Sequence, residues 1–207
     1  MNVIAVIGDI VRSRDISMRE SFQARLLRTL DRINTKSRPA SAYTLSAGDE
    51  LEAVYRNGDT LIQDWLRITS TIYPERIRFA VAIGTLTTDI HPDNPLIMDG
   101  PAFRLARKAI QDLRAAAAPI CVVAEPPTDV ALENDAARLL ASHIAQWKKT
   151  RWIVYRRLAR GATPAAVSKA MKISTAAVYK NIRAGAIDLV SEVARDLGRS
   201  ITAKVTP

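Results

Sequence analysis

The chain has 207 residues, enough for two small domains, and 48% of them are hydrophobic, enough for true cores. No apolar run approaches a membrane span, and the N-terminus reads as a strand rather than a basic, cleavable leader. The lone Cys121, in the apolar run 119–124, excludes an internal disulfide, so a reducing, cytoplasmic setting is expected.

The net charge of +9 is unevenly spread. Residues 148–207 hold 13 Lys/Arg against 3 Asp/Glu, and residues 1–147 hold 17 against 18, so the positive excess belongs to the C-terminal segment and points to a polyanion.

Residues 2–7 form an apolar run without charge, the pattern of a central strand, ended by Gly8 and Asp9. Residues 18–33 repeat apolar side chains at helical spacing (Phe22, Leu26, Leu27, Leu30, Ile33), with Ser17 placed to cap and Glu20 three residues on. Extended runs over 42–47 and 51–55 flank Gly48-Asp49-Glu50 and predict a β-hairpin. A second amphipathic helix over 60–72 carries Leu61, Trp65, Leu66 and Ile68, and a strand over 77–84 turns Ile77, Phe79, Val81 and Ile83 inward. Pro101 opens a third helix through residue 113, and residues 120–124 close the set as a strand. The order β-α-β-β-α-β-α-β predicts an α+β, ferredoxin-like sheet over residues 1–125 with helices on one face. No Gly-rich turn leads from the first strand into a helix, which argues against a dinucleotide-binding fold.

Glu125-Pro126-Pro127-Thr128 marks a boundary, followed by a linker helix over 126–147 and an all-α domain over 148–207. Gly161 stops one helix, and Thr163 and Pro164 start the next. Helices over 164–171 and 175–183 flank a turn at Lys172 and Ile173, with Ser174 as the second cap. That is a helix-turn-helix, which lays its second helix in the major groove of double-stranded DNA. Ser174, Thr175, Ala176, Tyr179, Lys180 and Arg183 would meet base edges and phosphates, and Lys169, Lys172, Arg156, Arg157 and Arg160 phosphates alone.

If the hairpin pairs beside the first strand, Asp9 and Asp49 converge at one sheet end, with Glu50 adjacent. Two close carboxylates repel unless a divalent cation neutralises them, so convergence points to Mg²⁺ or Mn²⁺ shared with a phosphate. The same residues also suit a loop cap and a turn. Ser13 and Arg14 suit a phosphate or a solvated loop. His91 and His143 lack the spaced partners that metal ligation needs.

The first domain resembles the palm domain of class III nucleotidyl cyclases and GGDEF-type diguanylate cyclases. Asp9-Ile10-Val11 matches the end of the first strand, Gly48-Asp49 the hairpin, and Ala47-Gly48-Asp49-Glu50-Leu51 a degenerate GGDEF signature. The resemblance implies that Asp9 and Asp49 bind the metals holding a nucleoside triphosphate. The whole chain more closely resembles the SatD family, through residues 7–14, 46–50 and 99–103, Ala106-Arg107 and the C-terminal helix-turn-helix. The third helix departs from the cyclase pattern. Arg104 stands at the family's Asn position and Lys108 at its Arg position, with Arg107 one step off, and Leu45 replaces a purine-reading Lys.

Retained metal ligands beside altered transition-state groups fit a nucleotide sensor, or an enzyme of different specificity, better than an ordinary cyclase. The expectation is a cytoplasmic, homodimeric DNA-binding transcriptional regulator, paired through the helix around 129–147. Its palm-like domain would sense a metal through Asp9 and Asp49 or a nucleotide through Ser13, Arg14, Arg104 and Lys108. The rival is a divalent-metal-dependent nucleotidyl cyclase or other phosphoryl-transfer enzyme localised on DNA by its tail.

Overall fold

Five strands form one mixed sheet in the computed structural model, which describes residues 2–46 and 49–205. They are β1 (Asn2–Ile10), β2 (Ser41–Ser46), β3 (Glu50–Tyr55), β4 (Ile77–Thr85) and β5 (Ile120–Ala124), in the order β2-β3-β1-β4-β5. The central β1 is antiparallel to both neighbours, and β5 runs parallel to β4. The expected hairpin is β2–β3; its residues 47 and 48 lie outside the described residues.

Alternating side chains give the sheet two apolar faces. Ile4, Val6, Leu51, Phe79 and Val81 pack with α1 (Arg19–Ser37) and α2 (Leu61–Ile72). Val3, Ala5, Ile7, Ala80 and Ala82 pack with α3 (Pro101–Ala116). Helices therefore cover both faces, which corrects the expectation of one. A parallel β4–β5 pair needs a crossover, and α3 is that crossover. Small residues on both sides (Ala5, Ala80 and Ala82 against Ala102, Ala106 and Ala109) make room for it.

Two local expectations also change. Gly8 and Asp9 do not end β1 but lie inside it, because both pair with β3 on one side and β4 on the other; a side chain on Gly8 would begin 2.8 Å from the Ile77 Cδ1 on the next strand. The first helix starts after Met18 with no side-chain cap, so Ser17 is not its cap.

Beyond the sheet come α4 (Ala131–Ala145), α5 (Lys149–Leu158), α6 (Pro164–Met171), α7 (Thr175–Gly185) and α8 (Ile187–Val205). Thr163 and Ser174 do cap α6 and α7, accepting from Ala166 N at 3.2 Å and Ala177 N at 3.1 Å. The α8 helix was not foreseen. Its stripe of Ile187, Val190, Ala194, Leu197 and Ile201 joins the same apolar core as α1, α2 and the sheet.

At one contact glycine meets glycine: a Cβ on Gly198 would lie 2.5 Å from the Gly58 carbonyl oxygen. Thr202 Oγ1 accepts from Gly58 N at 2.8 Å and donates to Asp59 Oδ1 at 2.7 Å. A separate all-α helix-turn-helix domain is thus not what the chain builds; one core runs from the sheet into the C-terminal helices. Among the described residues, no helix is long and apolar enough to cross a membrane.

Candidate functional site

The register Asp9↔Glu50 and Asp9↔Arg78 puts an acid, an acid and a base side by side at one sheet end. Residues two apart on a strand share a face, so Glu52 joins Glu50 there. All of them lie on the side covered by α3.

Asp9 is buried and both its oxygens are engaged. Oδ1 accepts from Arg114 Nη2 at 2.8 Å; Oδ2 accepts from Arg114 Nε at 3.1 Å and Arg78 Nη1 at 2.9 Å. Arg114 also stands 4.0 Å from Glu50, and Arg107 lies 3.8 Å from Glu52. Asp49 is tied in by its backbone oxygen, which accepts from Ile10 N at 3.0 Å, and by Oδ2, which accepts from Ser13 Oγ at 2.6 Å.

Burial raises the Glu50 carboxyl above its ordinary value; Arg114 opposes this and Asp9 adds to it. Burial raises Glu52 as well, against the pull of Arg107, and Glu52 Oε2 is buried without a hydrogen-bond partner. The hydrogen bonds to Asp9 raise the Arg114 guanidinium.

The expected convergence of Asp9 and Asp49 is therefore found, but not as an open metal pair. Guanidinium donors hold both Asp9 oxygens, and no cluster of three or more His, Cys, Asp or Glu side chains suited to a metal occurs among the described residues. As arranged, these residues do not fit a resident divalent cation. Two arginines supply the neutralising charge instead.

The other expected contacts divide. Ser13 is buried at the site through Asp49, whereas Arg14 is exposed on the 3-10 turn Ser13–Asp15. Arg104 is exposed and pairs with Asp99 at 3.7 Å, and Lys108 is exposed. Arg104 lies ten residues, about 15 Å, along α3 from Arg114. The cations that α3 brings to the cluster are Arg107 and Arg114. Their spacing of seven, two helical turns on one face, is the signal that would have found them; Arg78 required the strand register.

Arg78 also borders a cleft of about 1220 Å³ at the same sheet end. The chain's three tryptophans, Trp65, Trp147 and Trp152, line it with Tyr73. The Trp147 and Trp152 ring centroids are 4.8 Å apart with the planes tilted by 60°, and the indole N–H groups of Trp65 and Trp147 are buried without acceptors.

Five strands with an acid–arginine cluster at one end define an α+β protein with a polar site between sheet and crossover helix. The SatD family model matches residues 3–189, and the chain belongs to that family. Two solved bacterial light-regulated adenylyl cyclases are similar in structure. One has 15% identity and a TM-score of 0.45, with 58% of this chain and 74% of the cyclase covered. The other has 18% identity and a TM-score of 0.44, with 59% and 43% covered. No curated protein matches the chain.

The expectation of a DNA-binding transcriptional regulator is corrected accordingly. The SatD family match runs through sheet and C-terminal helices alike, from residue 3 to residue 189. Packing explains how the charge count misled. Thr175, Ala176, Tyr179, Lys180 and Arg183 are exposed on α7, and Lys169 and Lys172 just before it, but α7 itself carries only two cations. The remaining excess is dispersed. Arg151 packs against Gly185, Arg156 and Arg157 are half-buried, Arg199 pairs with Asp196 at 3.2 Å, and Lys204 lies 3.8 Å from Glu133.

Proposed function

We propose that this protein is a palm-type enzyme of nucleotidyl or phosphoryl transfer acting on a nucleoside triphosphate. The observation that carries the reading is the convergence of Asp9, Asp49 and Glu50 with Arg78, Arg107 and Arg114 at one sheet end. Arg107 and Arg114 are each about half exposed, and a guanidinium has five N–H donors, so each can keep one carboxylate and still offer a fork to phosphate oxygens. A triphosphate arriving there competes with Asp9 and Glu50 for Arg114. The carboxylates released from the guanidiniums then become acceptors for the proton of an attacking hydroxyl. The adjoining cleft, lined by Trp65, Tyr73, Trp147 and Trp152, offers aromatic surface to the base.

The test is incubation with each nucleoside triphosphate as its Mg²⁺ or Mn²⁺ complex, with products separated by chromatography and weighed by mass spectrometry. A cyclic nucleotide, or a nucleotidyl product with diphosphate, formed by the wild type and lost in Asp9→Asn, is the expected result. No turnover of any of the four triphosphates refutes the reading.

We also propose that the protein is a homodimer joined through α4, where Leu132 and Leu139 are exposed seven residues apart. Light scattering should report a dimer that Leu132→Lys with Leu139→Lys converts to monomer.

A further inference from the structure

A second concentration of charge lies away from Asp9, where α1, α2 and α5 meet. A cavity of about 100 Å³ opens there, and its charged lining residues are Arg32 and Lys36 from α1, Arg67 from α2, Arg156 from α5 and Arg160 from the turn that follows α5. Arg32 and Lys36 are four residues apart on their helix, so that pair shares one face. No carboxylate lines the cavity. Arg67 is already paired with Asp64 at 2.6 Å, but among the described residues no ion pair joins Arg32, Lys36, Arg156 or Arg160.

Five like charges, from three helices and the turn after α5, repel unless something neutralises them. Arg156 feels this most: burial, then Arg160, Arg25 and Arg157, push its guanidinium below the ordinary arginine value. Hydroxyls of Thr29, Ser70 and Thr71 complete the lining, so donors outnumber acceptors. The site is small, about 100 Å³, and open to solvent on one side, so a compact oxyanion can enter it.

We propose that this groove binds a compact phosphoryl anion, with diphosphate the best match to its surplus of cationic donors. Bound there, the anion bridges α5 to α1 and α2 and so ties the C-terminal helices to the sheet domain. The site is separate from the Asp9 cluster and stands whether or not that cluster is catalytic.

The experiment is calorimetric titration of the full chain with sodium diphosphate at constant ionic strength, with melting followed in parallel. Saturable binding of one diphosphate and a raised melting temperature are expected. Arg156→Gln with Arg160→Gln should weaken binding at least tenfold, while exposed Arg138→Gln leaves it unchanged. Sodium sulfate and inorganic phosphate distinguish a general oxyanion site, where all three bind alike, from one that prefers diphosphate. Three results would overturn the proposal: no saturable heat, binding unaffected by the Arg156/Arg160 pair but lost in Arg114→Gln, or binding of duplex DNA without binding of diphosphate.

Discussion

Replacing Arg114 by Gln probes the site most directly. Asp9 has a side chain only 9% exposed and receives three charge-assisted hydrogen bonds, two of them from Arg114. Removing one partner of a fully buried pair costs about 3–5 kcal/mol. Arg114 is 49% exposed, however, so solvent screens the pair and the expected cost falls to about 1–2 kcal/mol. For a chain of this size that lowers the melting temperature by roughly 2–8 °C.

The pH dependence has a definite sign. Glu50 is a carboxyl raised by burial, so the stability it contributes is present below its unfolded pKa and is lost as pH rises through the folded value. Arg114 opposes that rise, so without it Glu50 moves further up and the deficit of the variant grows from acid toward neutral pH. Urea unfolding of wild type, Arg114→Gln, Asp9→Asn and the double variant should give a coupling energy of about 1–2 kcal/mol, with exposed Arg104→Gln as a control within about 0.5 kcal/mol of wild type. Additive losses, or a deficit that shrinks as pH rises, would show that the Asp9–Arg114 pair does not organise this end of the sheet.

Glu52→Gln should stabilise the protein by about 1 kcal/mol at neutral pH, because it removes a buried charge with an unpartnered oxygen. The gain should fade toward pH 4, where the raised carboxyl is already protonated, and thermal melts at the two pH values will show it. Gly198→Val should cost at least about 1–3 kcal/mol, since its Cβ would start 2.5 Å from the Gly58 oxygen; an unchanged circular-dichroism melt would disprove that contact. Burial pushes the Cys121 thiol up to about 11, so its reaction with a disulfide reagent at pH 8 should be at least about tenfold slower than that of an exposed cysteine and recover that speed in denaturant.

Every strand of the sheet was legible in the sequence, as were seven of the eight described helices, because runs of period 2 and period 3.6 are local properties. The α8 helix was missed although its apolar stripe runs from Ile187 to Val205. The expectation stopped at the second helix of a motif, and the basic tail was read as a surface instead of a packing element.

The sequence by itself determined the strands, seven of the helices and the two capped short helices, and it put Asp9 and Asp49 near strand ends, where they converge once β3 pairs with β1. Tertiary structure alone decided which charges meet. Arg78 reaches Asp9 through strand register, Arg107 and Arg114 through the face on which α3 docks, and the cations of α5 through the angle at which α5 lies on α1 and α2. Charge is a property of one residue, but neutralisation belongs to a pair, and residues as far apart in sequence as 9 and 114 become a pair only when the sheet and its helices close on one another.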